Sequence, residues 1–490
     1  LISNLVTVTR NAQHLEINPT NPEVEKKLTI NTREFVQEGY KKTIKYRKTE
    51  LFTRTNYGSI ITYQGFWADI DQVLRKSPKD YKVRSVDRRT DLPIPDYAGM
   101  RGLRGTQPGL LLTAVTRRTS GLIGAPTRYG KTYLMLATAR MFAKYNILVI
   151  APGEDLLDQL FTDFSDAFKD RPVVKVGGGS RTRSYPNWGI TVASMDSLHK
   201  LDKGLYDVIL IDEPHAVVTE SRMSELDSFT KGLRYGFGAT LEGRFDNKDY
   251  AIVGLIGPIL SNTTYTEAVR DNMIAPLKVA FYKVGFRQES VEGARNSARK
   301  QLLLQSGRLR KLIKSINGII PKHWQTLFFI ENEDQADFFE EVFDEDIFIA
   351  MAKKLKKKER KELTSKFKSG RIKRSLASKI YIQGVTFPYL RILVNLASGG
   401  PNTGAIQKPG RLLQKEDWKN YGLLIDVLFV CENPQDDTRK NPGYEALVGE
   451  CYSRMKLYKK IGYDVEVVDN GERLMELIME SGGEMEVDHD

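Results

Sequence analysis

Two short stretches of this chain combine residue types that handle phosphate and a divalent metal. Residues 125–132 read Ala-Pro-Thr-Arg-Tyr-Gly-Lys-Thr, an A-x-x-x-x-G-K-T pattern. In such a loop the backbone N–H groups of Ala125, Pro126's neighbours, Thr127 and Gly130 wrap phosphate oxygens, the Lys131 ammonium neutralises their charge, and the Thr132 hydroxyl reaches Mg²⁺. The apolar-rich stretch after Lys131 predicts a helix whose positive end faces the same anion. About eighty residues on, Ile209-Leu-Ile-Asp-Glu-Pro-His215 sets two carboxylates at the end of an apolar run. Carboxylates buried there are costly unless they face a cation. The pattern therefore assigns Asp212 to Mg²⁺ through water and Glu213 to orienting and deprotonating an attacking water. A lone Gly-Lys-Thr is also what a turn before a helix looks like; the acid pair downstream is what turns it into a prediction of ATP hydrolysis with Mg²⁺.

These residues need strands to end on and helices to start. Leu148-Val-Ile-Ala151, Ile190-Thr-Val-Ala193, Val208-Ile-Leu-Ile211 and Tyr235-Gly-Phe-Gly-Ala-Thr240 are short apolar runs, with an amphipathic stretch at residues 155–164 between the first two. Such alternation predicts a parallel sheet covered on both faces, with ligand loops at the strand ends. A second alternating block runs from Gln325-Thr-Leu-Phe-Phe-Ile330 through residues 346–349 and 391–394 to Gly422-Leu-Leu-Ile-Asp-Val427, after a basic helical approach at 288–318. It holds no second Gly-Lys-Thr. The fold class expected is α/β, two tandem parallel-sheet domains preceded by a small α+β N-terminal domain. The predicted boundaries are 1–97 for the accessory domain, 98–285 for the first lobe and 286–490 for the second.

At 490 residues the chain is too long for one core, and its net charge of +12 favours a polyanionic partner. Residues 1–97 are basic and aromatic together, with Lys41, Lys42, Lys45, Tyr46, Arg47 and Lys48 in one run and Trp67, Arg84, Arg88 and Arg89 further on. Interleaving of this kind suits phosphate contacts with rings available for stacking, and equally a solvated face of a small domain. The lysine-rich stretch at 351–374 reads either as a nucleic-acid backbone track or as a solvated helix face. Cys431 and Cys451 form no disulfide framework or metal cluster, and no apolar run is long enough to span a bilayer. A reducing cytoplasm is the expected compartment.

With both blocks in view, the order of motifs resembles superfamily 2 helicases of the DEAH-like kind from about residue 101 to 426. Gln107 is similar to the glutamine that reads adenine. Ala151-Pro-Gly153 and Thr191-Val-Ala-Ser-Met195 resemble the strand-end motifs that touch nucleic acid, which assigns that contact to Pro152 and Ser194. Asp212-Glu-Pro-His215 resembles the DEAH box, and Gly238-Ala-Thr240 the element coupling hydrolysis to movement, so His215 and Thr240 become coupling residues. In the second block, Gln383-Gly-Val-Thr-Phe-Pro388 and Gln407-Lys-Pro-Gly-Arg411 resemble the motifs that add Gly384 to the nucleic-acid contacts, and Gln407 and the arginine finger Arg411 to the ATP site. The resemblance implies two RecA-like lobes closing on ATP. A narrower likeness, in size and architecture, is to bacteriophage recombination helicases of the UvsW type.

Three positions depart from the pattern. Arg128 and Tyr129 replace small residues inside the phosphate loop, and their bulk is expected to point outward, onto DNA or onto the partner lobe. Thr386 stands where an acid is common. Gln414 stands where a second arginine is usual, and glutamine cannot neutralise charge developing on the γ-phosphate. The function expected is an ATP-dependent DNA helicase or translocase, monomeric, that unwinds or branch-migrates forked DNA in the bacterial host of a phage. The alternatives are an RNA helicase, a restriction-type translocase, or an ATP-gated nucleic-acid clamp with weak hydrolysis.

Overall fold

Val208–Asp212 lies at the centre of a seven-stranded sheet because its residues are apolar on both faces and all five are buried. The strand order is Val173–Val176, Ile190–Ser194, Ile147–Ala151, Val208–Asp212, Leu233–Gly238, Gly121–Gly124 and Ile259–Asn262, every neighbour pair being parallel. The computed structural model describes residues 4–38, 41–89, 92–180, 188–244, 246–287, 307–330, 333–340, 342–343, 347–350, 355–378, 387–397, 408–432 and 442–482. Apart from the loop residues Thr127–Tyr129, the chain divides into two compact units between Thr264 and Tyr265.

The first unit also holds the N-terminal block. Its five-stranded mixed sheet runs Phe52–Arg54, Ile60–Tyr63, His14–Asn18, Leu5–Arg10, Lys82–Asp87, with only the last pair parallel. Helix Trp67–Arg75 covers it through Ile70 and Leu74. From this block projects a ribbon of two ten-residue antiparallel strands, Thr29–Glu38 and Lys41–Glu50.

The N-terminal block and the seven-stranded sheet share apolar packing. Ala251 belongs to the core of the N-terminal block, with Met223 and Tyr250 packed against it. Phe66 packs against Tyr250 with ring centroids 4.5 Å apart and planes tilted by 30°, and a Cβ on Gly254 would come within 2.3 Å of the Phe66 ring. Tyr250 Oη donates to Asp69 at 2.7 Å, His14 lies 2.9 Å from Asp227, and Arg33 N donates to Asp246 O.

The second unit is another seven-stranded parallel sheet, ordered Ile347–Ala350, Arg374–Ala377, Gln325–Phe329, Leu390–Asn395, Gly422–Cys431, Leu277–Phe286, Asp464–Val468. Strand Leu277–Phe286 lies almost wholly before residue 285, the end expected for the first lobe, yet pairs over ten residues with Gly422–Cys431. Its long apolar run is indistinguishable from a first-lobe strand until its pairing partner is known. Behind Gly422–Cys431, helix Pro442–Ile461 brings Arg454 onto Asp426, Nε to Oδ2 and Nη2 to Oδ1 both at 2.9 Å, with both residues buried. Asn395 Nδ2 also donates to Asp426. The chain is thus two RecA-like parallel-sheet domains preceded by a smaller mixed region.

Candidate active site

The phosphate loop leaves the sheet at Gly124 and enters helix Lys131–Met141 through Gly130, whose φ of +103° lies in the left-handed region. Gln107 explains why this position must be bare. The first residue of helix Gln107–Val115, it is 1% exposed, and its Oε1 accepts from Arg104 N at 3.0 Å. Its Nε2 would stand 2.4 Å from a Cβ placed on Gly130. Gln107, expected to read adenine, therefore buttresses the loop backbone in this conformation. Gly130→Ala is expected to weaken ATP affinity about tenfold or more, through backbone strain of about 1–3 kcal/mol in addition to the clash. Calorimetric titration with a non-hydrolysed ATP analogue measures it.

Ala125 is buried, while Pro126, Thr127, Gly130, Lys131 and Thr132 are half-buried around the loop. Tyr129 is fully buried and Arg128 half-buried, its pKa drawn down to about 10 by burial. A tyrosine ring and a guanidinium stem both gain by leaving water.

Opposite the loop, strand Val208–Asp212 ends in Asp212, and the next residue, Glu213, turns the chain at φ +50° into the 3-10 turn Pro214–Val217. Glu213 Oε1 lies 3.4 Å from Lys131 Nζ, and Glu213 Oε2 lies 3.2 Å from His215 Nδ1. The two acids are driven apart. Burial, then the charge on Glu213, lifts Asp212 well above the usual carboxylate range. Burial acts the same way on Glu213, but the Lys131 ammonium and His215 outweigh it and hold that carboxyl low. The result is an ionised Glu213 beside a buried Asp212 that would gain from a cation. The bare cradle at Gly130, the helix N-terminus, Lys131 and this buried acid fit a nucleotide triphosphate with Mg²⁺.

Thr240 is half-buried just after strand Leu233–Gly238, and Pro152 half-buried just after Ile147–Ala151. Ser194, expected to touch nucleic acid, is 5% exposed and donates its Oγ to Ser197 Oγ at 2.9 Å. Lys45 is exposed on the ribbon. Lys41 and Lys42 are on the same strand, with side chains outside the described residues, as are Gln407, Gly384 and Thr386 altogether. In the second unit Arg411 is 7% exposed on the 3-10 turn Pro409–Leu413, and Gln414 donates to Glu416 at 3.1 Å.

Sequence reading missed Lys419. Buried itself, it donates to the carbonyls of Leu390, Leu412 and Gln414, the last two belonging to or following the turn that carries Arg411. Burial lowers its pKa to about 7, yet three acceptors match the three N–H groups of the charged ammonium. Nothing in its sequence surroundings, Asp-Trp-Lys-Asn, distinguishes it from a surface lysine.

The family model described as "Type III restriction enzyme, res subunit" matches residues 103–243, which run from just before Gln107 past Thr240. The chain carries a superfamily 2 helicase/translocase domain. It is similar to "Putative helicase 22" of Sulfolobus islandicus filamentous virus, 25% identical over 63% of this chain and 60% of that protein. It is also similar to "DNA 3'-5' translocase XPB2" of Sulfurisphaera tokodaii, 24% identical over 69% of this chain and 84% of that one. The chain thus spans about 60% of the length of the viral relative. Among solved structures, S. cerevisiae Dbp5 bound to RNA and ADP BeF3 superposes with TM-score 0.52 at 13% identity, covering 79% of this chain and 95% of that one. T4 UvsW aligns over 95% of this chain and 99% of its own at 16% identity, with TM-score 0.40. Among the described residues, no helix is long and apolar enough to cross a membrane.

Proposed function

We propose that this superfamily 2 protein is an ATP-driven DNA translocase of the restriction type, acting as a monomer. The observation that carries the reading is the contact of Glu213 with both Lys131 and His215 beside buried Asp212, inside the segment that matches the restriction-subunit family. The family model's description and the name of one relative favour this over the branch-migrating helicase expected from the sequence, since XPB2 is described as a DNA translocase. In this reading Lys131 and the loop amides hold the phosphates, and Glu213 takes the proton of the attacking water. Thr132 and Asp212 would hold Mg²⁺, which would supply charge neutralisation on the phosphate oxygens. Arg411 is the candidate arginine finger, and His215 and Thr240 carry the state of the site into the neighbouring turn. Displacement of a triplex-forming oligonucleotide from linear duplex DNA tests translocation. Displacement that requires ATP supports it, and ATP turnover stimulated by RNA alone would replace it with the RNA-helicase reading.

Remodelling of branched DNA is a second reading, favoured by the ribbon. Ile44 and Tyr46 are 45% and 67% exposed there beside exposed Lys45 and Lys48, cations and a ring on one strand, and Arg33 lies over the Tyr46 ring at 5.8 Å. The Lys45→Ala/Lys48→Ala double variant is expected to lower the slope of log affinity against log salt by about 2, near one per lost phosphate contact. Fluorescence anisotropy on forked and linear duplexes measures this. An unchanged slope on both would place the ribbon off the DNA.

A further inference from the structure

Where the N-terminal block meets the first sheet there is a cavity of about 370 Å³ whose wall carries four arginines, Arg10, Arg89, Arg117 and Arg118. Among the described residues, Asp87 answers two of them from outside the wall, paired with Arg89 at 2.6 Å and standing 3.7 Å from Arg10. Like charges gathered this way destabilise a fold unless something anionic visits. Arg10 shows the strain, its pKa lowered by burial and by Arg89 against the opposing pull of Asp87. Its buried Nε and the buried Oε1 of Gln64, also at this wall, have no hydrogen-bond partner among the described residues.

The rest of the wall is not merely basic. Leu255, Ile256, Pro258 and Leu260 make one side apolar, and Trp67 offers an indole over which the Arg10 guanidinium lies at 4.7 Å. Four cations suit phosphate, while an apolar side with an arginine-on-indole stack suits the flat face of a base. The volume falls in the range of about 300–1,000 Å³ usual for small-molecule sites. This is also a different place from the phosphate loop. Ser120, at the cavity wall, precedes strand Gly121–Gly124, and the loop follows it, so the two sit at opposite ends of a strand roughly 13 Å long.

We infer that this cavity binds a phosphate-bearing nucleotide unit, supplied as a free nucleotide or as one residue of a nucleic-acid strand, at a second site separate from the phosphate loop. The inference does not rest on the translocase reading. The test uses the full chain carrying Lys131→Ala, which silences the phosphate loop, with ADP titrated by calorimetry and a fluorescent dT12 followed by anisotropy. One of the two probes is expected to bind and to lose about tenfold or more in affinity in Arg117→Gln/Arg118→Gln, both exposed positions, and again in Arg10→Gln. Loss for ADP identifies a free-nucleotide site, and loss for dT12 alone identifies a strand site. Basal ATP turnover of the same arginine variants with Lys131 intact should be unchanged. Equal affinities of both probes for parent and variants, with unfolding temperatures unaltered, would overturn the inference and leave the ATPase assignment standing.

Discussion

Glu213→Gln is expected to reduce ATP turnover by about 10²–10⁴-fold, the usual contribution of a general base, while nucleotide binding persists. The glutamine is isosteric, so the turn at φ +50° and the neighbouring backbone bond from Glu213 N to Phe237 O survive. What disappears is the ionised carboxylate that Lys131 and His215 hold in its charged form. Steady-state phosphate release beside calorimetric titration with an ATP analogue separates the two effects. Turnover within threefold of the parent would remove Glu213 from the chemistry. Equal loss of binding and turnover would make it a structural counter-ion of Lys131.

Asp426→Ala is expected to destabilise the second unit by about 3–5 kcal/mol, because it leaves the Arg454 guanidinium buried without its partner. The carboxylate accepts two bonds from Arg454 and one from Asn395, and both members of the ion pair are almost fully out of water. Replacing both by leucine should cost far less than the single change, since no charge then remains to be desolvated. Chemical denaturation of the full chain, followed by probes in each unit because two units need not unfold together, measures the difference. A single-variant loss under about 1 kcal/mol would mean that water reaches the pair.

Much of this architecture was legible in apolar spacing. The runs at 148–151, 190–193 and 208–211 became strands shifted by no more than one residue at either end, because a strand buried on both faces leaves few polar positions to confuse its limits. The loop and the acid pair stood out as candidates because phosphate and metal chemistry restrict residue type so strongly, and the fold sets Glu213 3.4 Å from Lys131. Less visible were features made by tertiary proximity. Leu277–Phe286 reads as apolar wherever it pairs, Ser194 gives no sign that Ser197 will occupy it, and Arg117-Arg118 looks like an ordinary basic doublet until Arg10 and Arg89 arrive from another sheet. Lys419 is the plainest case, a lysine whose three acceptors come from two separate segments of the second unit.

The seam between the N-terminal block and the first sheet has a mechanical meaning. Phe66 is lodged against Gly254, Tyr250 bonds Asp69, and the base of the ribbon is tied at Arg33 to Asp246 and through Asn247 to Asn31. A tether of that kind has no slack. Force applied to the ribbon tip is therefore delivered as torque to the sheet that carries the phosphate loop, as by a bracket welded to a chassis, and cutting the chain near residue 97 would tear out part of the frame along with the handle.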